Sequence, residues 1–466
     1  MRIIMVLRKS SIFCLLFIIS TLNLSAKEFQ HIFTSSKPHE IAIISQGSAA
    51  LQIRLDMIAR AKESIDIEYF IYADDISGRI FNQALVAKAQ EGVKVRILLD
   101  YLSTKKTFGR HYATVMREHN IEVKYFNTKK ILRIKKVQYR NHRKLIVIDK
   151  KEALTGSSNI ADDYFDLGHK FNFLDRDIHI VGPIVKNMLE TYEEFWQNKN
   201  SKRLKRTKKK KKLRIARKFL VETDHDREIK KQIKNISLTQ ADNITYGKCD
   251  QITLISEVAG TGKSIKKNRY IGKELFKRIL AAKTKIVIDT PYFVANKKAK
   301  KILKKAILDN GVTVKLLTNG LKSTDQYFMI KVTNGRLYNW LDRGLELYLY
   351  KGIIPDDLAT VHTATQKTIY GTHSKTYLFD DSDFMIGTYN FDPRSQNYNA
   401  ELAVFCDGNR RITQAIDKNI EKRMQASHRV LQKNQLKKIR FKSSKLSKII
   451  KFYVYSIPAY LFPHLL

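Results

Sequence analysis

The chain has 466 residues, too long for one ordinary core and suited to two or three domains of typical size. With 43% hydrophobic and 10% aromatic residues, wholesale disorder is excluded. Against 45 Asp and Glu stand 86 Lys and Arg, a formal +41 that draws the chain toward nucleic acid, an anionic bilayer face or phosphorylated substrates; a merely solubilising basic surface is the plainer alternative. The cysteines are Cys14, Cys249 and Cys406, so neither a disulfide framework nor a Cys-rich zinc module is expected.

Residues 1–26 open with Arg2, Arg8 and Lys9, continue through the apolar stretch Ile12 to Ile19 and reach Ser25-Ala26, which is the order of a secretory signal. The apolar stretch is short for a spanning helix, which needs about 20 residues. A cleaved signal is therefore expected, with a retained anchor as the alternative because Leu24 is bulky where a small residue is usual.

From Ala50 onward helical and extended patterns alternate, the mark of a sheet covered by helices, here expected to be mostly parallel. Leu51, Leu55, Ile58 and Ala59 have helical spacing, and SIDIEYFIY follows as a strand. A helix with Ile80, Ala84, Leu85 and Ala89 stops at Gly92, and VKVRILLD is the next strand. The same unit returns later. KIVIDTPYFV (285–294) parallels the first strand, a Lys-rich helix runs to Asn310, and Gly311 introduces VTVKLLTN. The expected organisation is a leader at 1–26, a first half at 40–200, a basic linker at 201–245, a second half at 246–428 and a basic, apolar tail at 429–466. The dense cationic run SKRLKRTKKKKKLRIARK (201–218) reads as a solvated linker or helix, with a lipid-headgroup or nucleic-acid contact as the sharper alternative.

A second repetition is tighter. HRKLIVID supplies His142, Lys144 and Asp149, and after six intervening residues come Gly156, Ser157 and Asn159. HSKTYLFD supplies His373, Lys375 and Asp380, and after six intervening residues come Gly387, Thr388 and Asn390. On an extended segment residues i and i+2 share a face, so each imidazole and its lysine address one cleft. Asp149 and Asp380, as the last members of the two motifs, are grouped with the catalytic residues, although their opposite parity at the strand ends suits each to shaping a turn. Ser157, Asn159, Thr388 and Asn390 add neutral groups suited to gripping a phosphate. If the halves pack about a pseudo-two-fold axis, both imidazoles meet one phosphorus: one attacks, the other protonates the leaving oxygen and then activates the acceptor. The lysines neutralise the non-bridging oxygens. No metal or other cofactor is then required, and the sequence has no metal-ligand spacing. Each histidine needs a carboxylate to fix its tautomer. By position Glu401 is assigned to His373, and Asp177, with Asp175 as second choice, to His142.

These paired H-x-K-x4-D motifs resemble those of the phospholipase D superfamily, and the chain is most similar to its bacterial cardiolipin synthases. NHRKLIVIDKKEALTGSSNIADDYF, LLTNGLKSTDQ and GTYNFDPRSQNYNAELAVF carry the likeness, which runs from about residue 45 to 430 and includes the run Asp392, Arg394 and Ser395. Thr388 departs from the usual Ser but keeps the hydroxyl. The resemblance implies His142 as nucleophile, His373 as acid and base, and a phosphatidyl transfer that makes cardiolipin from phosphatidylglycerol and a second phospholipid. The partners implied are anionic phospholipid and a membrane surface, with nucleic acid only as the alternative, and the location is a bacterial cell envelope, at the inner membrane, in the periplasm or secreted. A secreted phospholipase D releasing phosphatidic acid, and a nuclease of the superfamily, are the competing readings. The lysines before IIKFYVYSIPAYLFPHLL suit a bilayer interface, or the tail packs on the chain's own core. AGTGKS (259–264) resembles a phosphate-binding loop, but Glu257 occupies the position of its first glycine.

Overall fold

A computed structural model describes residues 29–129, 134–239, 244–262, 268–326, 340–354 and 367–439, with isolated positions between 329 and 337 and between 446 and 454. The leader, Lys263 and Ser264 of AGTGKS, and the end of the tail from 455 lie outside the described residues. The strands are β1 (Ile32–Ser35), β2 (His39–Ile44), β3 (Ser64–Tyr69), β4 (Lys94–Asp100), β5 (Glu122–Phe126), β6 (Leu145–Ile148), β7 (Glu152–Gly156), β8 (Phe171–Leu174), β9 (Asp177–Val181), β10 (Ser201–Lys202) and β11 (Ile244–Cys249). They continue as β12 (Gln251–Ser256), β13 (Lys285–Asp289), β14 (Thr313–Asn319), β15 (Leu345–Tyr350), β16 (Ile369–Thr372), β17 (Thr376–Phe379), β18 (Asp383–Gly387), β19 (Leu402–Asp407) and β20 (Ser427–Val430). The helices that matter below are α1 (Gly47–Arg60), α2 (Ile76–Gln90), α3 (Tyr101–Thr104), α4 (Arg110–Met116), α5 (Ile184–Gln197), α6 (Lys210–Phe219), α7 (Asp224–Thr239), α8 (Tyr270–Ala281), α9 (Lys297–Lys304), α10 (Pro393–Asn397) and α11 (Arg410–Gln425).

Two nine-stranded sheets form, one per half, in the orders β10-β5-β4-β3-β6-β7-β9-β2-β11 and β1-β12-β19-β18-β17-β13-β14-β15-β20. The two-halved α/β architecture agrees with the sequence reading, but the sheets are mixed. Parallel pairing within them is confined to β3, β4 and β5 and to β13, β14 and β15, the strands joined by helical crossovers. The motif strands β6 and β17 join by tight turns to β7 and β18, and such turns permit only antiparallel neighbours.

Each half exchanges one strand with the other. β1 pairs with β12 in the second sheet, and β11 pairs with β2 in the first, so the boundary expected near 246 falls inside a strand of the first sheet. The region 201–245 is also no free linker. β10 pairs with β5, and α6 and α7 bury Ala216, Ile229 and Ile233 in the first half's core. Alternation explains this: along α6 and α7 the apolar residues recur on one helical face while the lysines occupy the other.

A continuous apolar layer lies between the sheets. It gathers Leu98, Leu145 and Val147 from the first half, Val287, Leu378 and Ile386 from the second, and residues of α5 and α11. Buried charges also cross it. Arg176 reaches Asp289 at 3.4 Å, and Arg423 reaches the same carboxylate at 3.0 Å. A disulfide joins Cys249 of β11 to Cys406 of β19 and so links the two sheets. This single bond is no framework, and a sequence separation of 157 hides the proximity of the two thiols from sequence reading. In the tail Leu436 and Phe452 are buried, whereas Leu446, Ile450, Tyr453 and Val454 are exposed.

Candidate active site

His142 and Lys144 lie immediately before β6, and His373 and Lys375 immediately before β17. The two segments open on one cleft of about 290 Å³ that is lined by His142 and His373 together with Asn159, Asn390, Tyr164 and Arg394. The halves dock here by backbone pairing. His142 N–H donates to Ala400 C=O, and His373 N–H donates to Leu174 C=O, at 2.9 and 3.0 Å. β16 runs parallel to β8 just before His373. Asn141 bridges Ala400 in the same sense just before His142.

That docking decides which carboxylate each histidine meets. His142 Nδ1 is 2.8 Å from Glu401 Oε2, and His373 Nδ1 is 2.9 Å from Asp175 Oδ1. Each imidazole is therefore held by the opposite half, a correction to the pairing of Glu401 with His373 and of Asp177 with His142. Strand register gives the reason. Gly156 pairs with Asp177 and Gly387 with Ala403, so the equivalent of Glu401, two positions earlier than Ala403, is Asp175. Asp177, the first residue of β9, instead forms a buried ion pair of 2.8 Å with Arg54 of α1 in its own half.

Four side chains hold Glu401. Besides His142 it accepts from Thr388 Oγ1 at 2.5 Å, Ser395 Oγ at 2.7 Å and Asn399 Nδ2 at 3.2 Å. Thr388 thus supports the carboxylate, and the hydroxyl of Ser157 is engaged with the Arg176 backbone at 3.0 Å, so neither hydroxyl is directed at a phosphate. Asn159 and Asn390 do face the cleft. Asn159 is fixed by accepting from Ile71 N–H at 3.1 Å, and Asn390 by its own N–H donating to Ser395.

Asp149 and Asp380 sit at the far ends of β6 and β17, away from the cleft, which corrects their grouping with the catalytic residues. Both adopt positive φ, 51° and 52°. Asp149 accepts the N–H groups of Lys62, Glu63 and Ser64, and Asp380 those of Lys283, Thr284 and Lys285. Each therefore ties the motif strand to the start of its neighbour.

The electrostatics couple the halves. Burial pushes the His142 imidazole down, Glu401 opposes this in part, and Lys144 and Lys375 add to it, leaving the value at about 4. His373 is lowered too, first by burial and then by Lys375. Burial and Lys375 bring Lys144 to about 7, and burial brings Lys375 to about 8. The rings are thus neutral near neutral pH, and the two amines behind them titrate close to it. Lys144 Nζ bonds the His142 carbonyl at 2.7 Å, whereas Lys375 Nζ approaches both ring nitrogens of His373 at 3.0 Å. Phe70 packs against His142 and Phe173 against His373, with ring centroids 4.7 and 4.8 Å apart.

Sequence reading left several cleft residues without a role. Arg394, in the run noted for its likeness to the lipid synthases, donates to Gln138 Oε1 of the first half at 3.0 Å. Tyr292 and Asp325 form a pair at 2.6 Å on the second-half wall. Asp325 and Tyr164 fall in stretches that carry the resemblance, which was the available signal, whereas Phe173 had none.

Two H-x-K segments on paired α/β halves, converging on one cleft, define a phospholipase D-type enzyme. Residues 55–196 and 275–424 match the family described as "Cardiolipin synthase, PLD-like domain", and the chain belongs to it. It is 32% identical over 397 residues to an uncharacterized protein of Helicobacter pylori, covering 79% of this chain and 76% of that one. It is 27% identical over 394 residues to cardiolipin synthase C of Escherichia coli, covering 79% and 81%. Its fold is similar to the crystal structure of phosphatidylserine synthase from Haemophilus influenzae, with TM-score 0.64, 14% identity and coverage of 91% and 95%. Among the described residues no helix is long and apolar enough to cross a membrane.

Proposed function

We propose that the protein is a phosphatidyl transferase that forms cardiolipin from phosphatidylglycerol and a second phospholipid through a phosphatidyl-His142 intermediate. One observation carries the reading: two buried, neutral imidazoles share a cleft, each with Nδ1 engaged by a carboxylate from the opposite half. That engagement directs Nε2 toward substrate. His142 suits the nucleophile because Lys144 Nζ bonds its backbone carbonyl and not its ring, whereas Lys375 Nζ lies 3.0 Å from both ring nitrogens of His373.

In the first step Nε2 of His142 attacks the donor phosphorus, and the P–O bond to the donor headgroup breaks. The bound phosphodiester anion offsets the two lysine charges and so favours protonation of His373, which gives its proton to the leaving alcohol. In the second step neutral His373 takes the proton from a phosphatidylglycerol hydroxyl, whose oxygen attacks phosphorus and releases His142. Lys144, Lys375, Asn159 and Asn390 hold the non-bridging oxygens as charge builds, the contribution that usually dominates such transfers. The likeness to cardiolipin synthase C over most of both chains supports the choice of lipid and of an envelope membrane face as the location of the reaction.

The test is incubation of purified protein with labelled phosphatidylglycerol, with and without phosphatidylethanolamine, followed by lipid separation. Cardiolipin is expected; phosphatidic acid alone identifies a hydrolase, and DNA cleavage with neither lipid product a nuclease. His142→Ala and His373→Ala are each expected to abolish turnover while the protein stays folded, and comparable activity in either variant overturns the two-histidine assignment.

A further inference from the structure

The first half carries a second concavity that the transfer chemistry does not use. It encloses about 450 Å³ between the α3–α4 turn and the chain leading into α6. Lys105, Lys106, Arg110, His111, Lys209 and Lys212 line it, and no carboxylate does. Neighbouring cations are neutralised: Arg203 pairs with Glu122, and Arg217 with Glu118. Among the described residues Lys105, Lys106, Arg110, Lys209 and Lys212 form no ion pair, although Lys105 lies over the Tyr101 ring at 6.0 Å. Five cations gathered around one half-open concavity repel one another, and an anion inside it relieves that repulsion.

Position narrows the anion. Asp100 ends β4 at the sheet edge that carries the cleft, for Tyr69 pairs with Leu99 and the next residues are Phe70 and Asp100. Asp100 binds Arg140 and, at 3.0 Å, the N–H of Asn141, the residue before His142. Tyr101 opens the pocket wall one residue further on. The pocket and the cleft therefore sit on one edge of the molecule. Ile215 is 50% exposed beside the α6 lysines, an apolar side chain among cations of the kind that suits a bilayer interface. A nucleic-acid strand requires a groove that tracks several nucleotides with a series of stacking platforms, whereas this is a single half-open concavity of about 450 Å³ with Tyr101 and His111 as its aromatic rings, a better match to one phosphate.

We propose that this pocket is a second anion site that takes the headgroup phosphate of an anionic phospholipid at the bilayer surface, beside and separate from the catalytic cleft. The inference goes beyond the transferase reading and is tested by binding without turnover. Full-length protein is titrated with phosphatidylcholine vesicles with and without phosphatidylglycerol. The double variants Lys105→Gln/Lys212→Gln and Lys106→Gln/Arg110→Gln are compared with Lys297→Gln/Lys304→Gln on the exposed face of α9, and melting curves check the fold of each. Loss of two headgroup-contacting cations is expected to weaken binding to anionic vesicles about thirtyfold, with less than about threefold in the α9 control. On dispersed short-chain lipid the pocket variants are expected to keep wild-type turnover. Equal weakening in pocket and control variants overturns the site. Weakened binding of inorganic phosphate with unchanged vesicle affinity overturns the lipid assignment in favour of a free phosphate. If one double variant fails to fold, the other decides.

Discussion

Glu401→Gln isolates the role of the carboxylate that crosses between the halves. Glu401 accepts from four side chains, and glutamine has one acceptor oxygen in its place. With that oxygen kept for Ser395 and Asn399, the amide NH2 turns to His142 Nδ1, which must then accept. The imidazole proton moves to Nε2, and the lone pair that would attack phosphorus is gone. Wrong-tautomer substitutions of this kind reduce turnover by about 10³–10⁴-fold, equivalent to about 4–5.5 kcal/mol of transition-state stabilisation. Fold is expected to persist because the amide is isosteric and relieves a buried charge. Asp177→Asn is the counter-experiment. It leaves the buried Arg54 charge without a carboxylate, at a cost of about 3–5 kcal/mol and roughly 3–5 °C in Tm, while turnover per folded molecule stays within about threefold of wild type. Initial rates from labelled phosphatidylglycerol, acid-quenched trapping of labelled enzyme and melting curves separate the two effects. Glu401→Gln within tenfold of wild type, or Asp177→Asn losing turnover as steeply as Glu401→Gln is expected to, refutes the crossed pairing.

Three more outcomes follow from the same geometry. For kcat/KM, protonation of His142 as pH falls toward about 4 removes the nucleophile, and deprotonation of Lys144 and Lys375 as pH rises through about 7 to 8 removes the phosphate grip, so activity is expected to fall on both sides; a profile flat through pH 9 opposes the lysine assignment. Cys406→Ser is expected to cost about 2–4 kcal/mol by freeing the link between the sheets, seen as a lower Tm with cleft chemistry retained, and an unchanged Tm refutes it. Asp149→Ala deprives three N–H groups of their acceptor and is expected to destabilise by about 1–3 kcal/mol while retaining turnover; a loss of activity matching His142→Ala in protein of normal stability restores Asp149 to the catalytic set.

The motif spacing made the site's inventory legible. Identical intervals in the two halves identified His142, Lys144, His373 and Lys375, and the structure brings both histidines into one cleft with both lysines close enough to act on His142. Parity along the chain was enough to set Asp149 and Asp380 at strand ends. What the sequence hid is the reach of each side chain across the pseudo-two-fold axis. Glu401 follows His373 in the chain and so looked like its partner, yet β8 and the Ala400 segment carry each carboxylate to the other half. The exchange of β1 and β11, the Cys249–Cys406 bond and the mixed strand directions were hidden for the same reason. Each depends on pairings between distant segments that local periodicity does not encode. The basic run is in part the helix its reading allowed, but charge density masks the burial of Ala216, and of Ile229 and Ile233 after the run, that ties region 201–245 to the first half.

Residues 175–177 show why the halves must be considered together. Asp175 orients His373 across the interface, Asp177 turns back to Arg54 in its own half, and the Arg176 guanidinium between them crosses to Asp289, Ser374 and Thr376. Asp175 and Arg176 precede β9, whose first residue is Asp177, so the chain's entry into the strand, not strict alternation, sends the two carboxylates to different halves. A single tripeptide therefore anchors the strand in its own core, joins the two halves through a buried cation and delivers a carboxylate to the far histidine. Ser374 and Thr376 flank Lys375, so Arg176 fixes the second motif from behind while Asp175 fixes it from the cleft. Neither half alone supplies a histidine whose Nδ1 has a carboxylate partner. The chemistry of this protein is thus a property of the contact between its halves, and the buried charges at that contact serve the geometry of the site.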